Sequence, residues 1–116
     1  MYGMSTGAPE YASLLAAAQR GVNVLVVLND ASDTVAAAAA LRAAKAQGLP
    51  VDVRVQTART MHEKFGVVGD DVFAGSANFS TSSSTKHSEN RFTIKNDPDV
   101  ASQFQARFEE LWNKSR

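Results

Sequence analysis

The spacing of apolar and polar positions changes period several times along the chain. After Pro9, which suits a first helical turn, Tyr11, Leu14, Leu15 and Ala18 recur at helical spacing, and Gly21 reads as the C-cap. Residues 22–28 follow as a nearly continuous apolar run of strand length, the pattern of a strand buried on both faces. Asn29, Asp30, Ser32 and Asp33 supply loop and N-cap chemistry. Residues 34–47 are alanine-rich, carry Val35 and Leu41 and close on Gly48, which predicts a second helix. Pro50 precedes a strand over 51–55. Residues 61–79 read as a hairpin, MHEKFGVV and VFAGSANF, with the turn chemistry of Gly69, Asp70 and Asp71 between them. Residues 80–88 are a Ser/Thr-rich polar loop, and 91–95 alternate as a strand does. Asp97 and Pro98 open a last helix whose Val100, Phe104, Phe108, Leu111 and Trp112 form one apolar stripe, read as core rather than as a stacking platform. Residues 1–5 have the look of the tail of a strand. Strands alternating with helices, without repeat or long linker, predict one α/β domain over 1–116: a mixed, largely buried sheet flanked by helices on both faces.

The hairpin carries the candidate chemistry. Side chains on a strand alternate faces, so His62 and Lys64 share one face and Glu63 takes the other. Ser76 and Asn78 share a face in the same way. Pairing the two strands brings an imidazole, an ammonium, a hydroxyl and an amide to one spot, a set that suits a phosphate. A lone histidine is more often structural, and a lone lysine more often solvated. Here a Lys on a mostly apolar strand wants an anionic partner, and Gly75 permits close backbone approach. Phe79 follows Asn78 and sits at the core or at the rim of the site.

Composition narrows the classes. The length of 116 residues fits one domain with one core. Twelve basic residues balance twelve acidic ones, so no global positive field advertises nucleic acid. A local patch is left open by Arg59, Lys64, Lys86, Arg91 and Lys95, all near the motif in sequence. The absence of cysteine excludes disulfides, thiolate catalysis and Cys-ligated zinc. No apolar run approaches the length of a membrane span, and no signal peptide is visible. The compartment is not fixed: a soluble protein is expected, cytoplasmic or exported by a signal outside these residues.

His62-x-Lys64 followed by Gly75-Ser76-x-Asn78 resembles the signature of the phospholipase D superfamily. The likeness extends to residues 19–24, similar to a helix-to-strand junction of the family. Ser88-Glu89-Asn90 and the closing FQARFEELW look like segments of its small, single-motif bacterial nucleases. The resemblance implies an α/β/α sandwich and a phosphodiesterase that needs neither metal nor cofactor. His62 would attack phosphorus and form a phosphohistidine, while a second histidine protonates the leaving alcohol. Lys64, Ser76 and Asn78 would hold the phosphate oxygens. Glu89 would hold the other nitrogen of His62, against its plain reading as an exposed loop glutamate. One motif where two are needed implies a homodimer or a second motif-bearing domain. DNA or RNA is the expected substrate. The alternatives are a phospholipid, as for a lipid hydrolase or effector, and a degenerate, non-catalytic nucleic-acid-binding domain. In two respects the chain departs from the family. Gly69 stands where an Asp is usual, with Asp70 or Asp71 as substitutes or plain turn acids. An extra strand and helix usually precede the segment that starts here at Met1, so a compact member or a domain cut from a longer chain is expected. His87 matches no family position and reads as a surface residue.

Overall fold

The computed structural model describes residues 1–80 and 89–116. Strands β1 (Val24–Asn29) and β2 (Val51–Gln56) are parallel, from Val24 opposite Val51 to Asn29 opposite Gln56. Helix α1 (Pro9–Gln19) leads into β1, and α2 (Val35–Ala46) is the crossover between the two strands. Val24, Val26 and Leu28 of β1 and Val51 and Val53 of β2 pack with Tyr11 and Ala18 of α1 and Ala37, Ala38, Leu41 and Ala44 of α2. Both helices therefore cover one face of this sheet. Leu28 and Leu41 are fully buried, each contributing about 2 kcal/mol of transfer free energy.

Val27 points the other way. It packs with Met61 and with Leu111 of α3 (Pro98–Asn113), backed by Phe65, Phe108 and Trp112. Asp97 caps this helix by accepting from the Val100 N–H at 3.1 Å. Helices thus lie on both faces, as expected. The expected two-sided burial of residues 22–28 holds only in part, because Val22 and Leu25 are about half exposed. Leu25 opens onto an apolar cleft of about 450 Å³, shared with Val67, Val68 and Phe108, which α3 leaves uncovered.

The second sheet is antiparallel: β3 (Phe65–Val68), β4 (Asp71–Gly75) and β5 (Arg91–Ile94). Val68 pairs with Asp71, so Gly69 and Asp70 form a two-residue turn. Gly69 takes φ +58°, as a type II′ turn asks of its first central residue. Both strands are shorter than expected, and the ladder between them ends at Phe65 and Ala74. His62 and Lys64 precede it; Ser76 and Asn78 follow it. The reason lies at Gly75, where the Ser76 N–H turns to the Asn90 carbonyl at 2.9 Å, and in the first five residues, which take the backbone partners that a longer hairpin would use.

Those five residues form a seam between the sheets. The Met1 carbonyl accepts from the Asn29 N–H at 3.2 Å, and the Tyr2 N–H donates to Glu63 O at 3.0 Å. Met4 bridges Phe79 in parallel, through Phe79 N–H to Gly3 O at 3.1 Å and Ser5 N–H to Phe79 O at 2.8 Å. Phe79 is buried and stacks on Phe73 at 5.8 Å between centroids, so it belongs to the core.

Candidate active site

The segment before β3 is fixed at Met61, whose side chain is buried and whose N–H donates to Asn29 Oδ1 at 2.8 Å. His62 follows, exposed, and then Glu63 and Lys64, half-buried. The alternation expected of a strand survives here without a ladder. Lys64 Nζ lies 3.0 Å from His62 Nδ1 and 3.3 Å from Nε2, and it donates to the His62 carbonyl at 3.0 Å. Glu63 turns away and grips Arg107 of α3, with Arg107 Nε at 2.8 and 3.1 Å and Nη2 at 2.6 Å from its carboxylate oxygens. An ammonium can only donate, and it reaches both ring nitrogens, so the tautomer of His62 sets which of them accepts from Lys64. Burial pulls the Lys64 ammonium below the ordinary lysine range, opposed in part by the charge of Glu89.

Ser76 and Glu89 meet across the start of β5. The Ser76 hydroxyl donates to Glu89 Oε2 and accepts from the Asn90 N–H at 3.0 Å. Asn78 Oδ1 accepts from the Gly3 N–H at 2.8 Å. Because a backbone N–H only donates, that contact fixes the amide with its oxygen toward Gly3 and its NH2 end turned away. His62, Lys64 and Ser76 line one cavity of about 620 Å³ together with Phe65, Phe104 and Arg107. Asn78 stands behind them, at the seam with Gly3. Glu89 is brought to Ser76, and the described hydrogen bonds of His62 go to Lys64. Asp71 accepts from the Asn96 N–H at 2.8 Å and the Asp70 carbonyl from the Asp97 N–H at 3.0 Å, so the turn acids tie β4 to the start of α3.

Of the expected cationic patch, Arg91 is paired with Glu10 at 3.0 Å, and Lys86 lies outside the described residues, as does His87. Among the described residues, no group of three or more His, Asp or Glu is placed to hold a metal ion, and no helix is long and apolar enough to cross a membrane. The sequence reading missed Tyr2, whose ring sits 4.3 Å from that of His62 at 48°, with Lys64 Nζ 5.1 Å from its centroid. It also missed Arg107 and Phe104. The available signals were weak: an aromatic in a suspected strand tail, and one arginine interrupting an apolar stripe.

Residues 1–112 match the family described as cardiolipin synthase, PLD-like domain. Among curated proteins, none matches the chain. Nuc from Salmonella typhimurium, a phospholipase D family member, superposes with a TM-score of 0.86 at 29% identity, over 99% of this chain and 76% of that one. NucT from Helicobacter pylori superposes with a TM-score of 0.71 at 16% identity, over 99% and 77% of the two chains. TrmBL2, an archaeal chromatin protein with a novel mode of DNA binding, gives 0.67 at 18% identity over 93% of this chain and 39% of its own. The last two share the fold. With its matching motif, its hairpin-end cluster and a family match over nearly its whole length, the chain belongs to the phospholipase D-like family.

Proposed function

We propose that the protein is a metal-independent phosphodiesterase that cleaves DNA or RNA with little sequence preference, through a phosphohistidine at His62. The observation that carries this reading is the contact of Lys64 Nζ with the His62 ring, inside a cavity that also takes in Ser76. Similarity of residues 61–65 and 89–90 to the small bacterial nucleases of the family favours nucleic acid over phospholipid.

The unprotonated nitrogen of His62 attacks phosphorus, and the bond from phosphorus to the leaving oxygen breaks. Lys64 moves from the imidazole to a non-bridging oxygen and balances the charge that builds there, with Ser76 and the amide nitrogen of Asn78 as neutral donors. Glu89 accepts the one hydroxyl hydrogen of Ser76 in the resting site, and that hydrogen turns from Glu89 to the phosphate when substrate binds. A second histidine gives its proton to the leaving alcohol, then takes one from water. The resulting hydroxide attacks phosphorus, the P–N bond breaks and His62 is regenerated. His62 cannot serve as that acid while phosphorylated. These residues carry two histidines and one His-x-Lys motif, so the second acid belongs to a second motif, in the simplest arrangement the His62 of another copy across a two-fold axis and otherwise a second motif-bearing domain.

Plasmid, single-stranded DNA and RNA in a gel assay, beside phosphatidylcholine vesicles, test the substrate class. Nucleic acid should be cut in excess EDTA, and His62→Ala should abolish cutting while the protein stays folded. Mixing wild-type and His62→Ala chains should lower activity as the square of the wild-type fraction. Activity that magnesium restores after EDTA, or a His62→Ala protein with near wild-type rate, rules the mechanism out. Hydrolysis of the vesicles alone favours a lipid hydrolase, and folded protein that binds nucleic acid but cuts nothing favours a non-catalytic domain.

A further inference from the structure

The cavity at the site is larger than a phosphate needs. About 620 Å³ of space extends from His62, Lys64 and Ser76 to the face of α3, where Gln103, Phe104 and Arg107 form the far wall. That wall is chemically unlike the phosphate end. Arg107 is spent: Glu63 holds its Nε and Nη2, and Glu110 holds Nη1 at 3.0 Å. Its charge is balanced by two carboxylates, so a second phosphate gains little there and meets acidic neighbours. What is left on the wall is aromatic surface and one amide. Phe104 stands edge to face with Phe65, 5.3 Å between centroids and 65° apart, and both rings line the cavity. Phe104 is half-buried, so part of it is open to a ligand instead of being closed in the core. Gln103, exposed one position earlier, offers a donor and an acceptor together.

We propose that this wall is a nucleobase subsite: the base next to the phosphate held at His62 packs against Phe104 and Phe65, with Gln103 at its edge. A flat, neutral group with mixed donors and acceptors fits this surface. Each base has a π-face, so the contact is tolerant of sequence. An acyl chain would use the rings but leave the amide without a role. The inference rests on the phosphodiesterase reading for the placement of the phosphate, and its test does not depend on turnover.

Calorimetric titration with thymidine 3′,5′-bisphosphate, which carries no diester to cleave, and with inorganic phosphate separates the two ends of the cavity. The nucleotide should bind at least about tenfold more tightly than phosphate. Phe104→Leu, which keeps the apolar bulk of the helix, should weaken the nucleotide about fivefold or more and leave phosphate unchanged, the usual weight of one base on one ring. Gln103→Ala, on an exposed helix position, should weaken it by a smaller factor. Equal affinity for nucleotide and phosphate, an unchanged nucleotide affinity in Phe104→Leu, or a parallel loss for both ligands overturns the subsite. If diesters are cleaved and the base adds nothing to binding, the subsite falls and the phosphodiesterase stands. If the base adds binding through Phe104 and no diester is cleaved, the subsite stands and the phosphodiesterase falls.

Discussion

Gly75→Ala should be the most damaging single-methyl change near the site. A Cβ built on Gly75 would lie 2.1 Å from the Asn90 carbonyl oxygen, 2.8 Å from Arg91 Cα and 2.9 Å from the Asn90 carbonyl carbon. All three are backbone atoms, so no side chain can yield, and β4 and β5 must part by about 0.9 Å to restore even 3.0 Å. Two hydrogen bonds sit at that point, Ser76 N–H to Asn90 O at 2.9 Å and Asn90 N–H to Ser76 Oγ at 3.0 Å. Losing both costs about 2 kcal/mol. A side chain at φ +153° adds about 1–3 kcal/mol of backbone strain. The sum of about 3–5 kcal/mol is a large share of the roughly 5–15 kcal/mol expected for a whole domain. At roughly 4 °C per kcal/mol, Tm should fall by about 12–20 °C in a calorimetric melt. Gly69→Ala is the control: its φ is +58° but nothing lies within 4 Å of the added methyl, so the cost should be about 1–2 kcal/mol. The steric argument is refuted if Gly75→Ala melts no lower than Gly69→Ala.

Three further outcomes follow from the site. Because burial depresses the Lys64 pKa and the ammonium is the working form, activity should fall as pH rises through a value below the ordinary lysine range. Lys64→Arg should carry that alkaline limb to higher pH, and a limb that does not move would remove Lys64 from the profile. Arg107→Met should cost about 1 kcal/mol in urea denaturation, since the pair with Glu63 is about one-third exposed and screened, yet it should lower kcat because Glu63 sits between His62 and Lys64. The double charge swap Glu63→Arg with Arg107→Glu should recover part of that kcat, and no recovery would show that the pair does not position the motif. Asn78→Ala should cost about 1–3 kcal/mol by stranding the buried Gly3 N–H. Asn78→Asp keeps the acceptor and should keep the stability while losing the NH2 donor proposed for the phosphate, and with it the activity. Full activity in Asn78→Asp would leave Asn78 a purely structural role.

What the sequence made legible was local. Pro9, Gly21, Gly48 and Asp97 mark helix ends through backbone preferences that need no tertiary context, and the apolar periods assign β1, α2, β2 and α3 close to their observed limits. His62, Lys64 and Ser76 stood out because few residue types suit a phosphate. The limits of the hairpin were not legible, because just past Gly75 the Ser76 N–H goes to the carbonyl of Asn90, fourteen positions on. Tyr2, Phe104 and Arg107 were hidden for a related reason. Each reaches His62, Phe65 or Glu63 across more than thirty positions, and only the assembled fold sets those distances.

The seam made by residues 1–5 sets an order of events. The seam joins positions far apart in sequence: Gly3 meets Asn78, 75 positions later, and Met4 meets Phe79. Loop closure over that distance is a modest thermodynamic burden, about 0.6 kcal/mol for each doubling in length. Its effect falls on time, because contacts so distant in sequence form slowly. Until Asn78 and Phe79 dock, the backbone groups of Gly3 and Ser5 lack these contacts, and the strand beside Tyr2 is not held in place. Refolding followed at Tyr2 should therefore lag behind refolding followed at the α2 amides, whose partners lie within the turn before.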